Sequence, residues 1–228
     1  MIASLALVAM TISSPALQFD PTTAYTKEAV QGFTVYVNHK LLDEQPDLAA
    51  KVLELLAAKL LEINRTVPAK ALERLHRVAI WVELDDPKFP GGCYHSSREW
   101  LTENGFNPDK AKSVELGNAA NFLTWSLDQP SMVLHELAHA YHDQVLGYDN
   151  ADLKAAYQHA LDAGLYKSVL HCRGGKQRAY ALNNDQEFFA EQTEAYFGVN
   201  DFYPFVRAEL QDYDPAMFEV LRKVWGGP

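Results

Sequence analysis

The stretch VLHELAHAYHDQV, residues 133–145, places His135, Glu136, His139 and His142 close together. On an α-helix, residues four apart share a face about 5–6 Å apart. His135 and His139 can then aim their rings at one ion, at ~2.0–2.1 Å from each ring nitrogen. Glu136 is rotated away from the pair by one residue, so it can reach a water activated by the ion without ligating the ion itself. That is the physical content of H-E-x-x-H, with Glu as general base. Bulk water is too weak an acid to lose a proton near neutral pH; on zinc its pKa falls to about 7. The competing reading is ordinary: two histidines that satisfy hydrogen bonds or face solvent. Against it, Val133, Leu134, Leu137, Ala138 and Ala140 make the stretch apolar. A buried helix carrying two histidines and a glutamate needs partners for them, and a metal supplies one.

A catalytic zinc takes three protein ligands and leaves one position open. The extended pattern H-E-x-x-H-x-x-G-x-x-H would need Gly at 142 and His at 145; the chain has His142 and Val145, which rejects that class. His142 shares the helix face, but three successive turns span about 10 Å, too far for three rings on one ion. It is therefore read as a flanking residue beside the ligands. The other source of a ligand is a carboxylate on a second helix. NNDQEFFAEQTEAYF offers Glu187, Glu191 and Glu194 among Phe188, Phe189, Tyr196 and Phe197. Glu187 as ligand, with Glu191 one turn later accepting from a ligating histidine's ring N–H, is coherent. A capping box from Asn184 to Glu187 with the other two carboxylates exposed is equally so. Spacing alone leaves both open.

HELAHAYH followed some fifty residues later by YALNNDQEFFAE resembles the gluzincin metallopeptidases of the anthrax lethal factor type, to which secreted Pro-Pro endopeptidases are similar. In that family HExxH is followed by a Tyr seven residues before a Glu that opens E-F-F-A-E. Here Tyr180 lies seven before Glu187, and Glu187 opens EFFAE. The resemblance covers residues 131 to 197. It implies that His135, His139 and Glu187 bind one zinc ion, that Glu136 is the base, and that Tyr180 donates its hydroxyl to the oxyanion. It further implies a zincin-like metallopeptidase domain acting on peptide or protein substrates, as an endopeptidase. A phenol sharing developing negative charge contributes a few kcal/mol in comparable sites; the ordinary role for Tyr180 is a half-buried hairpin aromatic. The N-terminal half carries no motif of that family, so substrate and scissile bond do not carry over. Two other functions use the same residues: a zinc amidase on cell-wall or modified peptides, and a non-catalytic zinc-binding interaction domain. Glu136 and Tyr180 weigh against the second, since a structural site needs neither a base nor an oxyanion donor and is usually closed by four protein ligands.

What must position these residues is a chain of 228 residues, 48% hydrophobic, with a formal net charge of -10 from 30 acidic and 20 basic residues. That suffices for one packed core and argues against a nucleic-acid surface. Ile2 to Met10 is an apolar run too short to span a bilayer, followed by Ser14-Pro15-Ala16, so residues 1–16 read as a signal peptide and export is expected. No Lys or Arg precedes the run, which leaves a misplaced start, an ordinary apolar segment and a cytoplasmic location open. Nothing further along is apolar enough for a membrane span. Cys93 and Cys172 could pair or stay as thiols; Cys93, close to His95, could alternatively reach the zinc and hold it latent.

Residues 25–228 read as a single α+β domain: a small mixed sheet, an HExxH helix and a second ligand-bearing helix. Strands are expected from Phe33, over 77–84 and over 112–118, the last an edge strand to which an extended peptide could pair. A long amphipathic helix runs from Asp47 and is closed by Pro68. A loop follows at DDPKFPGG, and a short helix ends at Gly105. After the motif come a helix stopped by Gly164, a hairpin turning at Gly174-Gly175, a helix capped by Asn184 and stopped by Gly198, and two closing helices with Pro204 and Pro215 near their starts.

Overall fold

In the computed structural model, which describes residues 19–226, strands β1 (Tyr25–Val30) and β2 (Phe33–Asn38) form an antiparallel hairpin. The segment read as a signal peptide lies outside the described residues. Gln31 and Gly32 turn the hairpin at φ 50° and 89°, the two-residue geometry whose twist matches paired strands. β2 buries Phe33, Val35 and Val37 in alternation, as its sequence leads one to expect. β1 was not anticipated. Lys27 and Glu28 interrupt its pattern and most of it is exposed or half-buried, so its place comes from the tight turn and from pairing with β2.

Helices α1 (His39–Glu44), α2 (Pro46–Thr66) and α3 (Ala69–Leu75) carry the chain over to β3 (Ile80–Val82), parallel to β2. α2 buries Val52, Leu56, Leu60 and Ile63, one stripe at helical spacing. Next come β4 (Gly92–His95), α4 (Arg98–Glu103), β5 (Ser113–Leu116) and α5 (Ala119–Trp125). The sheet order is β1-β2-β3-β5-β4, with β5 parallel to β3 and β4 antiparallel to β5.

This order corrects the expectation of an edge strand over 112–118. Val114 is fully buried and β5 lies inside the sheet. Chain order does not dictate lateral order: the segment just after the DDPKFPGG loop folds back outside β5 and becomes the edge. β5 also tolerates burial on both faces. Val114 and Leu116 join the apolar core, while Glu115 on the other face bonds Lys110 Nζ at 2.5 Å and His95 Nε2 at 2.5 Å.

The second half is α6 (Met132–Tyr141), a π-helical turn over His142–Leu146, α7 (Ala151–Ala163), a small hairpin of β6 (Val169–Leu170) and β7 (Lys176–Gln177), then α8 (Asp185–Phe197), α9 (Arg207–Tyr213) and α10 (Pro215–Trp225). The molecule is thus α+β with a small mixed sheet. The closing helix expected with Pro204 near its start begins only at Arg207. The intervening backbone pairs with the hairpin loop instead: Asp201 O accepts from Cys172 N, and Tyr203 N donates to Leu170 O. No described helix is long and apolar enough to cross a membrane.

α6 packs against β4, β5, α2, α3 and above all α8. A clasp fixes the α6–α8 pair. Ser131, just before α6, donates its hydroxyl to Val199 O (2.9 Å) and accepts from Val199 N (3.0 Å). Gly198 makes room for it: a Cβ there would lie 2.5 Å from Ser131 Oγ. The residue that stops α8 is therefore also the one that lets α6 approach.

Candidate metal centre

α6 supplies His135, Glu136 and His139 from one turn, and α8 crosses it with Glu187 in its first turn. Asn184 caps α8 as expected, its side chain accepting from Glu187 N at 2.8 Å. The Glu187 carboxylate is turned to the histidines: Oε2 lies 3.1 Å from His135 Nε2 and 3.3 Å from His139 Nε2. The two Nε2 atoms are 3.1 Å apart. Three donors at 3.1–3.3 Å from one another match a tetrahedral set, in which bonds of ~2.1 Å separate donors by about 3.4 Å. Two imidazoles and one carboxylate, each partly buried, are also the donor chemistry a catalytic zinc takes. The three residues fit the ion. Burial pushes the pKa of the Glu187 carboxyl up, but the hydrogen bonds from His135 and His139 outweigh it and hold the pKa at about 2.

The far side of His135 shows a partner that spacing did not single out. Nδ1 lies 2.7 Å from Glu194 Oε1. A carboxylate on the remote ring nitrogen fixes the tautomer and leaves Nε2 free to meet an ion shared with His139 and Glu187. This corrects the role assigned to Glu191. All three carboxylates lie along one stripe of α8, and the crossing of α8 over α6 brings the i+7 member, not the i+4 member, to the ring. Glu191 is buried, receives a hydrogen bond from Asn200, and leaves Oε2 without a partner. His135, Glu191 and Glu194 form a second group close enough to share a cation.

His142 stands apart. Its ring is fully buried against Phe189 and Tyr148, each with centroids 5.1 Å away, and neither ring nitrogen has a partner. Burial lowers its pKa to about 4, so it is a neutral core residue and not a hydrogen-bonding neighbour of the ligand rings.

Glu136 sits beneath the edge strand. A Cβ on Gly92 would lie 3.1 Å from both Cγ and Oε1 of Glu136, so any larger residue there would press on the Glu136 side chain. β4 is held there by the π-helical turn: Tyr94 donates its hydroxyl to Asp143 (2.6 Å), Gln144 donates to Tyr94 (3.0 Å), and Lys112 pairs with Asp143 (2.5 Å). The turn closes α6 with two side chains aimed at β4, a use that fits the frequent occurrence of π-turns at functional sites. Two cavities, of about 530 and 250 Å³, meet along Gly92, His135, Glu136 and Tyr180. Tyr180 opens a short 3-10 turn after the hairpin and is 48% exposed, its phenol facing the same cleft as Glu136. β4 borders both cavities and, among the described residues, its outer edge has no strand partner.

The cysteines are both free thiols, one of the two states that their sequence positions leave open. Cys93 is tied into the sheet by β4 and lines the smaller cavity, whereas Cys172 follows β6 and is held by its backbone to Asp201. Cys93 does not take part in either group of converging ligands. Burial, and then the charge of Glu136, push its pKa up to about 12, which keeps it a thiol. Comparison of the chain with models of protein families, with curated proteins and with solved structures finds no match.

Proposed function

We propose that this protein is a zinc-dependent metallopeptidase with a zincin-like domain, an endopeptidase of the gluzincin kind. The observation that carries the reading is the convergence of His135 Nε2, His139 Nε2 and Glu187 Oε2 within 3.1–3.3 Å, in a cleft that also holds Glu136 and Tyr180. Zinc bound by these three side chains supplies Lewis acidity, lowering the pKa of a water to about 7 and polarising a carbonyl. The chain's own residues do the rest. Glu136, buried under Gly92, takes the proton of the attacking water and returns it to the departing amine. Tyr180 donates its phenol hydrogen to the oxygen on which negative charge develops. Glu194 keeps the His135 ring in one orientation throughout. The outer edge of β4 offers main-chain donors and acceptors along the cleft, so an extended peptide can add to the sheet there and lie across Glu136.

The test is metal analysis of the purified chain followed by cleavage of a proteome-derived peptide library, with wild type and Glu136→Gln side by side. One zinc per chain and library cleavage lost only in the variant support the reading. A fully active, folded Glu136→Gln protein removes it.

A further inference from the structure

We infer that the wall of the larger cavity formed by Glu191, Glu194 and Asp201 is a subsite for a lysine or arginine side chain of the substrate. This rests on the metallopeptidase reading and names the substrate class it serves. The cavity of about 530 Å³ is lined by His135, Glu136 and Tyr180 and by these three carboxylates. Each of the three is at least nine-tenths buried, with 4%, 4% and 5% of its surface exposed. A carboxylate is hard to bury without a cationic or hydrogen-bonding partner, and the partners here are few. Glu194 has His135 Nδ1. Asp201 has Gln129 Nε2 at 3.3 Å, with His171 Nε2 3.8 Å away. Glu191 has Asn200, and its second oxygen has nothing.

That unpartnered oxygen belongs to a side chain lining the cavity, and it points to a ligand independently of the clustering of acids. The chain does not provide the missing cation itself. Arg178, the permanent cation among the described lining residues, spends its guanidinium on Asn183 Oδ1 (2.7 Å) and Leu182 O (2.6 Å). The lining of the cavity favours a long basic side chain over a bare metal ion. Met132, Trp125 and Phe202 line the same cavity with apolar surface, and lysine and arginine lay an aliphatic stem along such walls while the charged head seeks polar partners. A metal ion would gain nothing from those walls. It would also compete with Glu194 for His135 Nδ1, the nitrogen whose hydrogen bond orients the ring.

The experiment uses N-acetylated peptide hydroxamates, which chelate zinc, with lysine, arginine, norleucine or glutamate placed at each position in turn. Matching peptide amides lack the chelating group. Binding to the zinc-loaded full chain and to chelator-treated chain is followed by calorimetry. At one position lysine and arginine bind at least about tenfold more tightly than norleucine, and glutamate more weakly than norleucine. In Glu191→Gln/Asp201→Asn the lysine-to-norleucine ratio falls to about one. Hydroxamates that bind through zinc with equal lysine and norleucine affinities at every position overturn the subsite and leave the metal reading intact. So does a lysine preference that survives in the double variant. A lysine preference that depends on Glu191 and Asp201, in hydroxamates bound no better with zinc than without, supports the subsite and overturns the metal reading alone. A second equivalent of zinc or calcium, lost in Glu191→Gln, with no lysine preference assigns the cluster to a metal and overturns the proposal. The wild-type comparison of lysine with norleucine needs no variant, so it holds even if the double variant fails to fold.

Discussion

Two buried polar clusters flank the sheet and α6, and they are built on opposite principles. Beneath β3 and β5, Lys110 Nζ sits between Glu83 (2.7 Å) and Glu115 (2.5 Å), and Glu83 also accepts from Tyr25 and Asn38, at 2.7 Å each. His95 closes the far side of Glu115. Every charge there meets an opposite charge or a donor from the same chain. In the α6–α8 cluster the donors crowd together instead: two ring nitrogens and a carboxylate oxygen share one small space, and Glu191 Oε2 is left over. Both clusters are buried and rich in His and Glu. The first is complete as folded, and the second leaves three donor atoms facing one another and one carboxylate oxygen without a partner. Unmet demand marks a functional site more sharply than burial or charge does.

Substitutions can break this contrast or sharpen it. The largest effect belongs to Glu136→Gln: peptide-cleavage turnover falls about a hundredfold to ten-thousandfold, the range of a lost general base, while circular dichroism and zinc content stay as in wild type. Retained turnover would reduce the open cluster to a structural metal site. Lys110→Met acts on the closed cluster, stranding Glu83 and Glu115. Urea unfolding should show a loss of about 3–5 kcal/mol, the cost of removing one partner of a buried pair. A loss under about 1 kcal/mol would mean the network is not closed in the sense argued.

Smaller effects separate the roles around the candidate metal centre. Glu194→Gln weakens zinc affinity about tenfold to a hundredfold, as for other partners of a ligating histidine, and Glu191→Gln weakens it less; competition against a chromophoric chelator ranks the two, and the reverse order would restore Glu191 as the ring's acceptor. His142 gives a pH signature. Its folded pKa of about 4 lies below its ordinary value of 6.5, so the unfolded chain binds the extra proton first and stability falls as pH drops from about 6.5 toward 4. In His142→Phe the urea midpoint loses that component of its pH dependence. The smallest effect is Cys172→Ser, expected within about 0.5 kcal/mol of wild type for an exposed free thiol, with two thiols titrated per wild-type chain under non-reducing, denaturing conditions.

Much of this was legible in residue order wherever one element carries the information. α2 follows the stripe of Val52, Leu56, Leu60 and Ile63, and Asn184 caps α8 as its type suggests. β1 and β4 were hidden because neither has a pattern of its own. Lys27-Glu28 breaks the first, and Gly92-Cys93 gives the second little strand propensity, so both exist through pairing with a neighbour. Glu194 was hidden because a helix stripe holds three equivalent carboxylates until a second helix is laid across it.

The spacing His135-x-x-x-His139 and the position of Glu136 were determined by sequence alone, because the 3.6-residue repeat sets which side chains share a face. Which carboxylate meets which nitrogen was decided by tertiary structure. The clasp of Ser131 to Val199 and the gap at Gly198 set how α8 crosses α6, and that contact between distant segments sends Glu187 to the two Nε2 atoms and Glu194 to Nδ1. The lateral order of the sheet belongs with it. β4 reaches the cleft because an antiparallel return outside β5 leaves its far edge over Glu136, a placement made by hydrogen bonding between strands and carried by no periodicity along the chain.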